Sequence, residues 1–377
     1  MARAWMKAAL AGMAIMAMTA PVHAADTIKI GVPGAHSGDL VSYGMPSLNA
    51  ARIVADEYNA KGGILGKQIE IIAEDDQCKP ELATNAATKL ISDKVVAIMG
   101  PICSGATNAS LPMYESANII SISPTATTPA LTLEGKHPLF LRTVANDNAQ
   151  AQLTSSYIIE VLKAKKVAYL HDNGEYGKGF AQQNRGILEK AGVETVLFEA
   201  VTPDAVDFSA VVRKLRRAKA DVLIFGGYQN TASKLVQQMR RDRVKTPLIG
   251  PDGVKDETFL KMTGKDSEGV MASYPKDTST LAMYKHAREA HVKQFGSEPG
   301  FGYYNAYAAT QALIKAIEVA GSTETDKIMA ALKSTEVDTP LGKMSFNKAG
   351  DATGLGLSVY VVKDGKFVES DHSITLH

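Results

Sequence analysis

The sequence predicts an α/β protein of two doubly wound, Rossmann-like lobes, and three observations lead there. Short β-rich runs alternate with helical patterns of about a dozen residues, as a parallel sheet with crossover helices requires. Two such series follow one another along the chain. The 377 residues also exceed one ordinary core, since single cores stop growing near about 250 to 300 residues. Eight βα units could mimic a barrel by count alone, but two successive series favour two open sheets.

The first series opens with a strand at Ile28 to Val32. Apolar residues at helical spacing then run from Pro46 to Tyr58 and stop at Gly62 and Gly63, before strand Ile69 to Ala73. Helix Glu81 to Asp93, strand Val95 to Met99, helix Ala106 to Ser116 and strand Ile119 to Ser123 repeat the cycle. Phe140 to Val144 reads as a further strand, and Asp147 or Asn148 can cap a helix running to about Lys163.

The second series comprises strand Val167 to Leu170, helix Phe180 to Lys190, strand Thr195 to Glu199, helix Phe208 to Ala218, strand Val222 to Phe225, helix Thr231 to Arg240 and strand Leu248 to Gly250. Beyond Tyr274 come two long helical patterns, Leu281 to Gln294 and Tyr303 to Ala320. A β-rich tail closes the chain at Met344 to Phe346, Leu357 to Val362 and Phe367 to Val368, the last two joined through the hairpin signal Asp364-Gly365.

The beginning of the chain reads as a secretory signal. Arg3 and Lys7 precede an apolar run from Ala8 to Ala20, and Val22 and Ala24 supply small residues at spacing two, so residues 1 to 24 are expected to be removed on export. The run is too short to span about 30 Å of hydrocarbon comfortably. With 41 basic and 40 acidic residues, the chain has no general attraction for nucleic acid or anionic lipid. Its two cysteines, Cys78 and Cys103, could pair in an oxidising compartment or remain buried thiols, and they lack the spacing of a metal site.

In open α/β sheets the ligand crevice lies beyond the carboxyl ends of the strands, so the residues just after each strand are the informative ones. In the first series these are Ser37, Gly38 and Tyr43, then Cys103, Ser104 and Gly105, then Thr125, Ala126 and Thr127. Hydroxyls and N–H groups at a helix start suit a carboxylate, although Ser104 could equally be a plain helix cap and the two threonines could serve a turn. The second series offers Tyr176 and Gly177, then Gly226, Gly227 and Tyr228, then Asp252 and Gly253. Asp252 facing neutral donors would suit a ligand carrying both ammonium and carboxylate, while Pro-Asp-Gly alone is a common turn.

Enzyme signatures are absent from the sequence: it contains no GxxxxGK[ST], GxSxG or HExxH motif, and no GxGxxG follows the first strand. The eight histidines are scattered. A binding protein without cofactor or metal is therefore expected, rather than an enzyme.

Ordered stretches along the mature chain carry a family resemblance: IKIGVPGAHSGDLVSYG (Ile28 to Gly44), YNAKGGILG (Tyr58 to Gly66), CSGAT (Cys103 to Thr107), SPTATTPALT (Ser123 to Thr132), LRTVANDNAQ (Leu141 to Gln150), HDNGEYGKG (His171 to Gly179), GGYQN (Gly226 to Asn230) and GPDGV (Gly250 to Val254). The chain resembles the leucine/isoleucine/valine-binding type of periplasmic binding protein, the substrate-binding component of branched-chain amino acid ABC importers. That resemblance implies the type I fold with a three-crossing hinge. The lobes would be residues 25 to 145 with 276 to 350, and residues 146 to 275 with 351 to 377.

It also implies a disulfide between Cys78 and Cys103 that holds the serine-bearing loop. Ser104 and Thr127 match binders of the amino-acid carboxylate, and Thr125 matches a backbone contact. Tyr43 matches an aromatic at the mouth of the side-chain pocket, and Tyr176 and Tyr228 match tyrosines that close over the ligand. Asp252 falls where the family has a glutamate that grips the ammonium. It is one methylene shorter, which withdraws the carboxylate by about 1.3 Å. The family's tryptophan-bearing stretch reads GYYNAYAA (Gly302 to Ala309), and the only tryptophan is Trp5. The implied partners are a small amino acid and a membrane permease, with the protein a periplasmic monomer. Alternatives on the same scaffold are an aromatic acid, amide or urea ligand, or a periplasmic sensor.

Overall fold

The computed structural model describes residues 27–203 and 205–376, so the expected signal segment lies outside the described residues. The first series forms β1 (Ile28–Gly34), α1 (Val41–Asn59), β2 (Ile69–Asp75), α2 (Pro80–Ser92), β3 (Ala97–Met99), α3 (Ser104–Ser116), β4 (Ile120–Ser123), α4 (Ala130–Leu133) and β5 (Phe140–Arg142). These strands make a parallel five-stranded sheet in the order β2-β1-β3-β4-β5.

The second series follows as α5 (Asp147–Glu160), β6 (Lys166–His171), α6 (Glu175–Lys190), β7 (Glu194–Ala200), α7 (Ser209–Ala218), β8 (Val222–Gly226), α8 (Gln229–Arg241), β9 (Leu248–Gly250), a 3-10 turn at Asp252–Val254, α9 (Glu257–Thr263) and β10 (Met271–Pro275). The remaining elements are α10 (Ala282–Phe295), α11 (Tyr303–Ala320), α12 (Thr325–Ser334), β11 (Val337–Thr339), β12 (Gly342–Phe346), β13 (Ala352–Thr353), β14 (Gly356–Lys363) and β15 (Lys366–Thr375). The second sheet has seven strands in the order β15-β14-β10-β9-β8-β6-β7, with the tail hairpin β14-β15 antiparallel on one edge. β11, β12 and β13 form a small antiparallel sheet.

Each large sheet is covered on both faces, which is why strands such as β8, Val-Leu-Ile-Phe-Gly, are apolar and buried throughout. On the first sheet, α1 and α11 pack through small side chains, among them Ala51, Ala55, Ala308, Ala309 and Ala312, and join Ile30, Met99 and Ile122 in one core. Leu90, Ile98 and Tyr114 fill the opposite face. On the second sheet, α7, α8 and α9 contribute Leu215, Leu235 and Phe259 to one side, while α5 and α6 contribute Leu153, Phe180 and Leu188 to the other.

The chain passes between the two sheets three times: from β5 into α5, from β10 into α10, and from β13 into β14. Four local differences from the sequence reading have physical causes. α1 begins at Val41 with Pro46 inside it, its ring packed against Gly300, so tertiary packing overrides the local cost of a helix proline. α5 is capped not by Asp147 or Asn148 but by Asn146, whose side chain accepts from the Ala149 N–H, so Asp147 is the first helical residue. β10 is a strand because β9 and β14 flank it, a tertiary pairing that its short Met-Ala-Ser-Tyr-Pro run does not announce. α12 is short and amphipathic, and buries Ile328 and Leu332 against the first core.

Candidate functional site

The strand ends of both sheets converge on a small cleft lined by Tyr43, Ser104, Thr125, Tyr176, Tyr228 and Asp252, together with Cys103, Ile102, Gly253 and Phe301. Six of the seven candidate ligand-binding residues thus share one space. Thr127 is fully buried behind Ser104 and does not line the cavity wall.

On the first-sheet side, α3 starts directly after Cys103, which is its N-cap residue. Ser104 is therefore not the cap. Its Oγ accepts from the backbone N–H groups of Thr127 and Thr128, each at 3.2 Å, and so ties the start of α3 to the loop after β4. Cys78 and Cys103 are disulfide-bonded with their Cα atoms 5.4 Å apart, which anchors this loop to the one after β2. The neighbouring Asp76 is buried and accepts from the Cys78 N–H; burial pushes its pKa up to about 6. Thr125 Oγ1 donates to the Ile102 carbonyl at 2.7 Å and fixes the third loop.

On the second-sheet side, Asp252 begins the 3-10 turn after β9 and is only 3% exposed. Its Oδ1 accepts from the Tyr176 hydroxyl at 2.5 Å, from Gln150 Nε2 at 3.2 Å and from the Gly253 N–H at 3.0 Å. All three donors are neutral, and burial, against these hydrogen bonds, holds the Asp252 pKa above the ordinary carboxyl range. Burial and then the charges of Asp252 and Asp147 keep the Tyr176 phenol protonated. Lys255, the residue after the turn, places its ammonium 4.0 Å and 4.6 Å from the ring centres of Tyr274 and Tyr360, which pins the end of the turn. Desolvation in that cage lowers its pKa to about 8.

Two glycines let the tyrosines meet. A Cβ on Gly226 would lie 1.9 Å from the Gly177 carbonyl oxygen, so only glycine allows α6 to start this close to the end of β8. The result is Tyr176 and Tyr228 with ring centres 5.1 Å apart, while Tyr43 meets Tyr228 edge-on at 5.8 Å.

Sequence reasoning missed three residues. Asp147, fully buried, directs its carboxyl toward Thr127 and shares the Gln150 amide with Asp252: Gln150 Nε2 donates to Asp147 Oδ1 at 3.1 Å as well as to Asp252. Burial, and then the charge of Asp252, hold Asp147 well above the ordinary carboxyl range. Gln150 Oε1 in turn accepts from the Asp252 N–H. The Asp-Asn-Ala-Gln run at the start of α5 was the available signal, since it places Asp147 and Gln150 one helical turn apart.

The third is Phe301, which packs 4.3 Å from Tyr43 and supplies the aromatic wall one residue before the stretch that lacks a tryptophan. Phe301 also lines a larger groove of about 630 Å³ that includes Tyr274, Tyr284, Tyr304 and Tyr360. Among the described residues no group of three His, Cys, Asp or Glu side chains could hold a metal ion, and no helix is long and apolar enough to cross a membrane.

The cleft therefore presents hydroxyls, a helix start and backbone donors on one side, and on the other aromatic walls with one lining acid, Asp252, behind which Gln150 links the buried Asp147. Comparison with known proteins places this architecture. A family model described as periplasmic binding protein matches residues 27–366. The leucine-, isoleucine-, valine-, threonine-, and alanine-binding protein of Pseudomonas aeruginosa is 32% identical over 350 residues, 93% of this chain and 94% of that protein. An amino acid binding protein of the same organism is 37% identical over 361 residues, 94% of each. Among solved structures, the branched-chain amino acid transporter substrate binding protein of Streptococcus pneumoniae, in complex with isoleucine, superimposes with a TM-score of 0.82 at 28% identity, over 91% of this chain and all of that one. With its paired α/β sheets, its crevice at their strand ends and likeness along nearly its whole length, this chain belongs to the periplasmic binding protein family.

Proposed function

We propose that this protein is the periplasmic, monomeric substrate-binding component of an ABC importer, that it captures a branched-chain or other small neutral amino acid, and that it delivers the amino acid to a membrane permease without chemical turnover. The amino acid lies with its carboxylate toward Ser104, Thr127 and the start of α3, and its ammonium toward Asp252 and Asp147. Its side chain packs against Tyr43, Tyr176, Tyr228 and Phe301, and Thr125 contributes from the backbone. Two lobes, one around each sheet, close on it about the three crossings.

One observation carries this reading: two buried carboxyls, Asp252 and Asp147, are bridged by the single amide of Gln150, and the hydrogen bonds that reach them come from neutral donors. Two acids so placed repel each other's charge and lack solvent. An ammonium beside Asp252 supplies a positive charge and three donors. The amino-acid names of the relatives support the same ligand class.

The test is a thermal-shift screen of the mature protein against the common amino acids, aromatic acids and short amides. Leucine, isoleucine or valine should raise the melting temperature, because a ligand that binds only the folded state stabilises it by mass action. A shift with aromatic acids or amides and none with any amino acid would overturn the assignment.

A further inference from the structure

Directly beneath the carboxylate side of the cleft lies a buried ion pair that the binding contacts do not use. Arg142, the last residue of β5, is fully buried and donates through Nε to Asp351 Oδ1 at 2.5 Å. Its Nη1 donates to the Ala126 carbonyl at 3.1 Å and to the Thr128 carbonyl at 2.9 Å, and its Nη2 donates to Thr132 Oγ1. The two carbonyls flank Thr127. The N–H groups of Thr127 and Thr128 meanwhile donate to Ser104 Oγ. The segment from Ala126 to Thr128 is thus clamped from both directions, the Ala126 and Thr128 carbonyls by Arg142 and the Thr127 and Thr128 N–H groups by Ser104.

Asp351 is the second half of the device. Besides Arg142, it accepts from Thr132 Oγ1 at 2.9 Å, and its Oδ2 accepts from Asn146 Nδ2 at 3.1 Å. Asn146 caps α5, the helix that carries Asp147 and Gln150 and makes the first crossing between the sheets, while Asp351 lies at the approach to the third crossing. The Asp147 N–H also donates to the Thr127 carbonyl at 2.9 Å. One buried carboxylate therefore joins the ligand-facing loop, the cap of the acid-bearing helix and two of the three crossings.

Burying an arginine and an aspartate contributes little net stability, because desolvation offsets most of their attraction. A planar guanidinium that holds two carbonyls and a carboxylate at fixed angles does give geometric precision, which a lysine could not supply. We infer that Arg142 and Asp351 are positioning residues that set amino-acid affinity by fixing the Ala126–Thr128 segment relative to Ser104 and to the start of α5. This inference rests on the reading of the cleft proposed above.

The test is a double-mutant cycle on the mature protein, with leucine binding measured by calorimetry well below the melting temperature. Wild type, Asp351→Asn, Ser104→Ala and the double variant are compared. Because both clamps act on the same segment, Asp351→Asn should weaken binding about tenfold in the wild-type background and threefold or less once Ser104 is gone. A purely structural role would leave the affinity of the folded protein unchanged or cost the same factor in both backgrounds, and either result would overturn the inference. If Asp351→Asn does not fold, Thr132→Val removes one link of the same network at constant volume and should show the same non-additivity at smaller size. Wild-type protein that binds none of leucine, isoleucine or valine would instead overturn the ligand assignment, and the positioning role with it.

Discussion

Tyr43 and Gly253 meet across the cleft: the Tyr43 hydroxyl, from the first turn of α1, donates to the Gly253 carbonyl at 2.5 Å over a sequence separation of 210 residues. Gly253 follows Asp252 in the same turn, so this bond ties the first-sheet side to the peptide that carries the acid. Tyr43→Phe deletes the bond and keeps the ring. A buried neutral hydrogen bond contributes about 0.5–1.5 kcal/mol, so leucine affinity should fall roughly twofold to tenfold. Small-angle scattering should show a larger mean radius for the ligand-free variant than for the wild type.

Ser104 and Asp252 sit at opposite ends of the proposed ligand. Ser104→Ala and Asp252→Ala should each weaken amino-acid binding by at least tenfold, about 1.4 kcal/mol. Calorimetry that shows unchanged affinity in either variant refutes the role given to that residue.

Affinity should depend on pH with a definite sign. Burial raises the pKa of both Asp252 and Asp147 above the ordinary carboxyl value. In the ligand-free protein these two groups add stability at low pH, and that contribution is lost as pH rises through their raised values. An ammonium ligand requires the ionised form and must displace protons below those values. Affinity should therefore rise as pH increases through those raised values and fall on acidification, by up to about tenfold per pH unit for each proton displaced. Calorimetry in buffers of different ionisation enthalpy should detect proton release at the acid end; proton uptake there would contradict the assignment.

The disulfide closes a sequence separation of 25 residues. Chain-entropy arguments give about 3.5 kcal/mol for a loop of that length. A Cys78→Ser/Cys103→Ser variant should lose up to that amount in urea unfolding. It should also bind leucine more weakly, because Cys103 immediately precedes Ser104.

The βα alternation was legible because buried parallel strands and their covering helices carry strong local patterns, as β1, β6, β8, α6 and α8 show. β10 was not, since its status comes from neighbours in the sheet and not from its own residues. The site divides in the same way. Ser104, Tyr176, Tyr228 and Asp252 stand at strand ends, where open α/β sheets place their ligands. Gln150, Arg142 and Asp351 work through partners about 100 to 220 residues away, and a polar side chain at a helix start or strand end looks like an ordinary cap until those partners are known.

Phe301 lines both the cleft and the broader groove beside it. In the proposed binding mode the grip on the amino acid's backbone falls to other residues, positioned by the disulfide, by Gln150 and by Arg142. Diet and anchorage are therefore written in different places. Trimming this one ring would let the side-chain space run into the neighbouring groove while the polar ends stayed fixed, so a lineage could take up bulkier nutrients through a change in a single codon.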